Sequence, residues 1–222
     1  MTKLIGHRGA AGLALENSTE SIRAALLQDV NAVEFDVHLT SDNKIVVLHD
    51  SHTGRVAKKK MYVRETTLTA LQHIKLKNGQ HIPTLDEVLD ILGDKPIIID
   101  IKDEGSAEEL LNVLDRHPKA DISFASFKHN ELRILRAARP DRPIYVLEHV
   151  SPIEIINTAR ALGADGVGLN KWLMNPLTYH LAERYGLELY VYTLNSPLLG
   201  NFFKKLYPKV HICTDHPERF RR

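Results

Sequence analysis

Eight short runs of β-type residues recur along this chain, with helical patterns between them. The runs lie at 3–7, 32–39, 96–102, 122–126, 143–149, 165–169, 187–193 and 209–215. Helical periodicity appears at 17–28, 84–92, 106–116, 128–138, 152–162, 176–185 and 197–207. Alternation at this spacing calls for parallel strands joined by crossover helices. Eight such units in 222 residues predict an α/β fold, a (β/α)8 TIM-type barrel forming one domain over 1–222. The alternative, an open doubly wound sheet, usually has fewer strands. Asn17, with Glu20 three residues later, predicts the cap of the first helix.

One stretch breaks the alternation. In "LTSDNKIVVLHD" two β-type runs are separated only by Ser41, Asp42 and Asn43. A connection this short cannot carry a crossover helix, so it predicts an antiparallel hairpin after the second strand. A turn centred near Asp42–Asn43 places His49 opposite Asp36, to within about one residue. Residues from about 51 to 82 are irregular and polar, with a basic run Lys58–Lys60. They read as a small insertion, and connections of this length are often functional.

Composition excludes several classes. The formal net charge is +1, which gives no global basic field for nucleic acid. The single cysteine, Cys213, permits no intrachain disulfide and fits a reducing, cytoplasmic setting. No apolar run has the length of a membrane span, so stable membrane insertion is not expected. The N-terminus lacks the layout of a signal peptide.

The chemistry sits at the ends of the β-type runs. Glu34 and Asp36 are two apart on one strand and share a face, while Val33, Phe35 and Val37 take the other. "IIIDIK" repeats the arrangement with Asp100 and Lys102. Buried carboxylates are paired or coordinate metals, and an all-oxygen set suits Mg²⁺, Ca²⁺ or Mn²⁺ better than zinc. With Arg8 and Lys102 added, the cluster suits one phosphodiester, and the forked guanidinium of Arg8 matches phosphate oxygens. His7 and His49 each end an apolar run beside this cluster and look like an acid/base pair. His73, His117, His129 and His180 lie in polar helical or irregular contexts and read as surface residues. No motif marks a protein nucleophile.

The segments "HRGAAGLALENS", "VEFDVHLTSDNKIVVLHD", "IPTLDEVL", "IDIK" and "TDHP", in this order, resemble the glycerophosphodiester phosphodiesterase family. The resemblance runs from Leu4 to about Pro217. It implies a metal-dependent barrel that hydrolyses glycerophosphodiesters to glycerol 3-phosphate and an alcohol. It places the acid/base pair on His7 and His49 and the metal on Glu34, Asp36 and Asp100. Arg8 and Lys102 then bind phosphate, with Glu16 and Tyr192 at the substrate site. The chain departs from the family pattern at Asp100, where Glu is usual, at Ser18, where Thr is common, and at Tyr192, where Trp is common. A non-catalytic phosphoglycerol-binding barrel and a lysophospholipase D-type phosphodiesterase are the competing readings.

Overall fold

A computed structural model describes residues 2–148 and 151–220. Eight parallel strands close into a barrel: β1 (Leu4–Gly6), β2 (Ala32–Leu39), β4 (Ile97–Ile101), β5 (Ile122–Ser126), β6 (Ile144–Leu147), β7 (Gly166–Asn170), β8 (Glu188–Tyr192) and β9 (Val210–Thr214). Closure comes from β1, which pairs with β9 on one side and β2 on the other. The run read at 143–149 ends on His149, outside the described residues. The crossover helices are α1 (Thr19–Leu27), α3 (Leu85–Leu92), α4 (Ala107–Arg116), α5 (His129–Ala138), α6 (Pro152–Leu162), α7 (Pro176–Arg184) and α8 (Pro197–Leu206). The sequence expectation of a (β/α)8 barrel holds.

Side-chain alternation sorts the strands into two layers. Val33, Phe35, Val37, Ile97, Ile99 and Ile101 point outward and pack with the helices in the main core. Ile5, Ile98, Ala125, Tyr145, Tyr190 and Cys213 fill the barrel interior. At Gly168 an added Cβ would lie 2.4 Å from the Tyr190 ring, so β7 is bare there to admit an aromatic from β8. This apolar plug leaves the inward acids only one direction to face, the mouth at the strands' C-terminal ends.

The hairpin is present: β3 (Ile45–Val47) runs antiparallel to β2, with Val37 opposite Val47. The register differs by one residue from the expected one. Leu48, not His49, meets Asp36, its amide donating to the Asp36 carbonyl at 3.0 Å. The cause is a tight turn closed by Thr40 and Lys44, with Asn43 at φ 55°. β1 pairs only with the lower end of β2, at Ala32 and Val33. The upper end is therefore free for β3, which carries His49 to the mouth.

Two further expectations need correction. Ser18, not Asn17, caps α1, its hydroxyl accepting from the Ser21 amide. Asn17 has φ 56° and its side chain is turned to Asp36 instead. Residues 51–82 are more than a polar loop. They hold a short helix α2 (Leu68–Gln72) and a satellite core of Val56, Val63, Leu71, Ile74, Leu76 and Ile82 packed on Val46 and Leu48. Of the histidines read as surface residues, His117 and His129 are partly buried, in contact with Asp86 and Glu148 respectively.

Candidate active site

The mouth opens into a cavity of about 430 Å³, with Glu34, Asp36, Asp100, Lys102, His7 and His49 on its walls. Every charged residue singled out at the strand ends lies here. Glu16 sits behind Arg8, and Tyr192 forms part of the wall with Tyr190, Phe127 and Leu147.

Glu34, Asp36 and Asp100 are buried, and one carboxylate oxygen from each lies within 4.8 Å of the others. They are not equivalent. Burial opposes ionisation of Asp36, but Lys102, Arg8 and His49 outweigh it and hold its pKa at about 2. Asp36 also accepts from Asn17 Nδ2 at 2.8 Å and pairs with Lys102 Nζ at 2.7 Å. Burial and then Asp36 raise Glu34 to about 7. Asp100 rises to about 6 although Lys102 Nζ is 2.5 Å away, because burial outweighs the shared ammonium. Asp100 Oδ1 is buried with no hydrogen-bond partner. A hard divalent cation fits this set: it needs oxygen donors, relieves the mutual repulsion and satisfies the orphaned Oδ1.

The two histidines face the acids from different elements. Nδ1 of His7 is 2.6 Å from Asp215 Oδ1, and Asp215 Oδ2 accepts from Asn195 Nδ2 at 2.7 Å. An ionised carboxylate only accepts, so Nδ1 carries the proton and Nε2 faces the site. That nitrogen lies 4.0 Å from Glu34. Burial opposes charge on His7, yet Asp215 and Glu34 outweigh it and raise its pKa. His49 repeats the device: Nδ1 is 2.7 Å from Asp50 Oδ1. Here burial dominates, Arg8 and Lys102 add to it, and the pKa is lowered. The His49 carbonyl is 3.1 Å from Nε2 of His38, whose Nδ1 contacts Asp103 at 3.0 Å.

Backbone shape delivers Arg8. It has φ 50°, and its amide donates to Glu34 at 3.0 Å. Gly9 follows at φ 84°, where an added Cβ would lie 2.5 Å from the Ser21 backbone; glycine alone tolerates both demands. Arg8 Nη1 donates to Glu16 at 2.7 Å, and Glu16 also receives Arg55, which in turn clamps Asp50. Arg8 Nε is buried without a hydrogen-bond acceptor, although Asp36 is 3.4 Å away.

Sequence reasoning assigned no role to Asp215, Asp50, Arg55 or Asn195, and gave Asn17 the wrong one. Two signals were available. Asp50 directly follows His49, and Asp215 ends the last β-type run at the height of His7.

The chain is similar to known proteins in sequence and in fold. The profile of the glycerophosphoryl diester phosphodiesterase family matches residues 7–219. A glycerophosphodiester phosphodiesterase of Caldanaerobacter subterraneus is 26% identical over 211 residues, covering 87% of this chain and 86% of that protein. An uncharacterised protein of Mycoplasma genitalium is 32% identical over 229 residues, covering 94% and 92% respectively. Among solved structures, an Oleispira antarctica phosphodiesterase in complex with its product sn-glycerol-3-phosphate superposes with a TM-score of 0.91 at 22% identity, covering 99% of this chain and 95% of that one. The chain belongs to the glycerophosphoryl diester phosphodiesterase family.

Proposed function

We propose that this protein hydrolyses glycerophosphodiesters to glycerol 3-phosphate and an alcohol, with His7 and His49 as the acid/base pair. Family membership makes it a phosphoric diester hydrolase. The observation that carries the residue assignment is two carboxylate-held histidines around one buried cluster of three acids.

Glu34, Asp36 and Asp100 would hold the metal, Mg²⁺ or Ca²⁺ with Mn²⁺ as a further candidate, since every donor is an oxygen. When bound, it supplies electrophilic stabilisation of charge on the phosphoryl oxygens. Arg8 and Lys102 bind the same oxygens, Arg8 through the buried Nε–H that has no acceptor of its own. Tyr192, whose hydroxyl is buried and unpartnered, lines the pocket for the rest of the substrate.

Cleavage needs a proton removed from the attacking oxygen and one delivered to the leaving oxygen. His49, lowered, suits the base, and His7, raised, suits the acid. The attacker in this reading is the glycerol hydroxyl next to the phosphate, because an intramolecular attack carries a large proximity advantage. His49 takes the hydroxyl proton, the new P–O bond closes a ring, and the P–O bond to the alcohol breaks as His7 protonates it. Water then opens the cyclic phosphate with the two histidines in exchanged roles, which yields glycerol 3-phosphate. A cytoplasmic location belongs to the same reading and rests on the single free, buried Cys213.

The test is turnover of sn-glycero-3-phosphocholine beside a diester of 1,3-propanediol, which lacks the neighbouring hydroxyl. The reading expects glycerol 3-phosphate and choline from the first and little turnover of the second. Equal turnover of both would remove the intramolecular route. Binding without turnover of either would leave the non-catalytic phosphoglycerol-binding barrel.

A further inference from the structure

The near-zero net charge of the whole chain conceals a division. Residues 51–82 hold seven Lys and Arg against one Glu, while the rest of the chain holds 22 against 27 acids. Arg55 is spent on Glu16 and Asp50. Lys58, Lys59, Lys60, Lys75 and Lys77 are exposed, and none forms an ion pair with a carboxylate among the described residues.

The fold brings the two lysine groups together, with Lys58, Lys59 and Lys75 around one groove. His52 bridges Tyr62 across an antiparallel excursion that begins directly after Asp50, with Lys58–Lys60 near its tip. Buried Thr53 holds the excursion in shape: its amide donates to the Met61 carbonyl, and its hydroxyl donates to the Lys59 carbonyl and accepts from the Met61 amide. Ala57 pairs with Leu76, and the Lys77 amide donates to the Val56 carbonyl at 2.8 Å. Leu76 is buried, so Lys75 and Lys77 on either side of it point outward together. An open groove of about 520 Å³ runs between Lys58, Lys59 and Lys75, with Met61, Ala70 and Ile74 along it. Tyr62, next to Met61 in the chain, is 45% exposed, its ring 4.9 Å from the Lys60 ammonium.

We propose that this lysine cluster docks the enzyme peripherally on an anionic phospholipid surface. Unpaired lysines meet the lipid phosphates, while Met61 and Tyr62 reach the headgroup boundary, where an aromatic with a polar tip is at home. The groove's Met61, Ala70 and Ile74 and a single exposed aromatic at Tyr62 in this insertion favour a bilayer over nucleic acid, which asks for a charged track with stacking platforms. No helix among the described residues is long and apolar enough to cross a membrane, so the contact is reversible and governed by charge. The excursion that carries Lys58–Lys60 follows directly on Asp50, the partner of His49, which ties the docking element to the catalytic wall.

The test is sedimentation of the full chain with phosphatidylcholine vesicles, with and without phosphatidylglycerol, over a range of salt. Binding is read without substrate, so its failure is separate from any failure of the hydrolase reading. The proposal expects salt-sensitive binding to the anionic vesicles only. With roughly 1 kcal/mol per lysine near such a surface, K58Q/K59Q/K60Q should bind about 10²-fold more weakly and K75Q/K77Q about 30-fold more weakly. Turnover of a soluble diester should stay unchanged in both. Equal binding to neutral vesicles, no binding by the wild type, or unaltered binding by either variant overturns the proposal. Tighter binding to a DNA duplex than to the anionic vesicles also overturns it.

Discussion

The two histidines are each held by a carboxylate, but in differently built walls. His7 is held entirely by the barrel. Its amide donates to Thr214 at the end of β9, its ring is held by Asp215, and Asp215 is fixed by Asn195 beyond β8. His49 belongs to the appended hairpin, and its partner Asp50 is clamped by Arg55 from the insertion. The His7 side chain is 13% exposed and the His49 side chain 34%. A barrel strand thus supplies a rigid, closed half-site, and a return strand with a salt-bridged loop supplies an open one. The Glu16–Arg55 contact joins the two, since Glu16 also holds Arg8.

The strongest way to break this comparison is to delete each ring. His7→Ala and His49→Ala should each lower kcat by roughly 10²–10⁴-fold, the usual value of positioned proton transfer. Calorimetric metal affinity should stay close to wild type in both. Near-normal turnover in either variant would end the acid/base assignment.

Removing the orienting carboxylates sharpens the difference between the walls. In Asp215→Asn the amide oxygen is held by Asn195 Nδ2, so the amide NH2 faces Nδ1 of His7 and favours the wrong tautomer. A loss of about 10²-fold in kcat is expected. Asp50→Asn should cost only about tenfold, because His49 keeps its backbone contact with His38 and is open to water. Steady-state kinetics with a pH profile for each variant reads this order; a larger loss at Asp50 would reverse the comparison.

Arg55→Ala cuts the link between insertion and barrel. The pair is partly exposed, so the stability cost should be no more than about 1 kcal/mol, seen as a small drop in thermal midpoint. The effect on KM should exceed that on kcat. A kcat loss as large as that of His49→Ala would mean that the insertion, not the hairpin, sets the geometry.

The smallest expected effect lies at the opposite end of the barrel and serves as a control. His211 and Tyr145 lower Glu188 to about 2, against burial. A depressed acid stabilises the fold above its unfolded pKa of about 4.3 and loses that contribution as pH falls toward 2. Glu188→Gln should flatten the acid limb of stability between those values and leave turnover near neutral pH unchanged. A changed pH–rate profile near neutrality would show that the mouth and the base are coupled.

Much of this was legible in the chain itself, for physical reasons. Strand and helix differ in period, so alternating runs betray the barrel. Paired acids at i and i+2 on β2 must share a face, so Glu34 and Asp36 betray the site. What escaped reading needed tertiary position. Asp215 and His7 are 208 residues apart, and only closure of β9 onto β1 turns their matching strand-end positions into a contact. Asn17 has the right residue type for a cap, but its left-handed backbone gives the cap to Ser18 and turns the amide to Asp36. The insertion's core residues follow no single period, so its satellite cluster is invisible until Leu76 pairs with Ala57. Its lysines are visible singly, but only the fold brings the two groups together.

The central claim is that three buried carboxylates hold a divalent cation on which diester turnover at His7 and His49 depends. The most direct measurement is release of glycerol 3-phosphate from sn-glycero-3-phosphocholine by chelator-treated protein, with circular dichroism to follow the fold. The account predicts a folded, inactive protein whose turnover returns as Mg²⁺ or Ca²⁺ is added, and no such return in Glu34→Gln or Asp36→Asn. Full turnover in excess chelator, or metal-restored turnover in those variants, would contradict it.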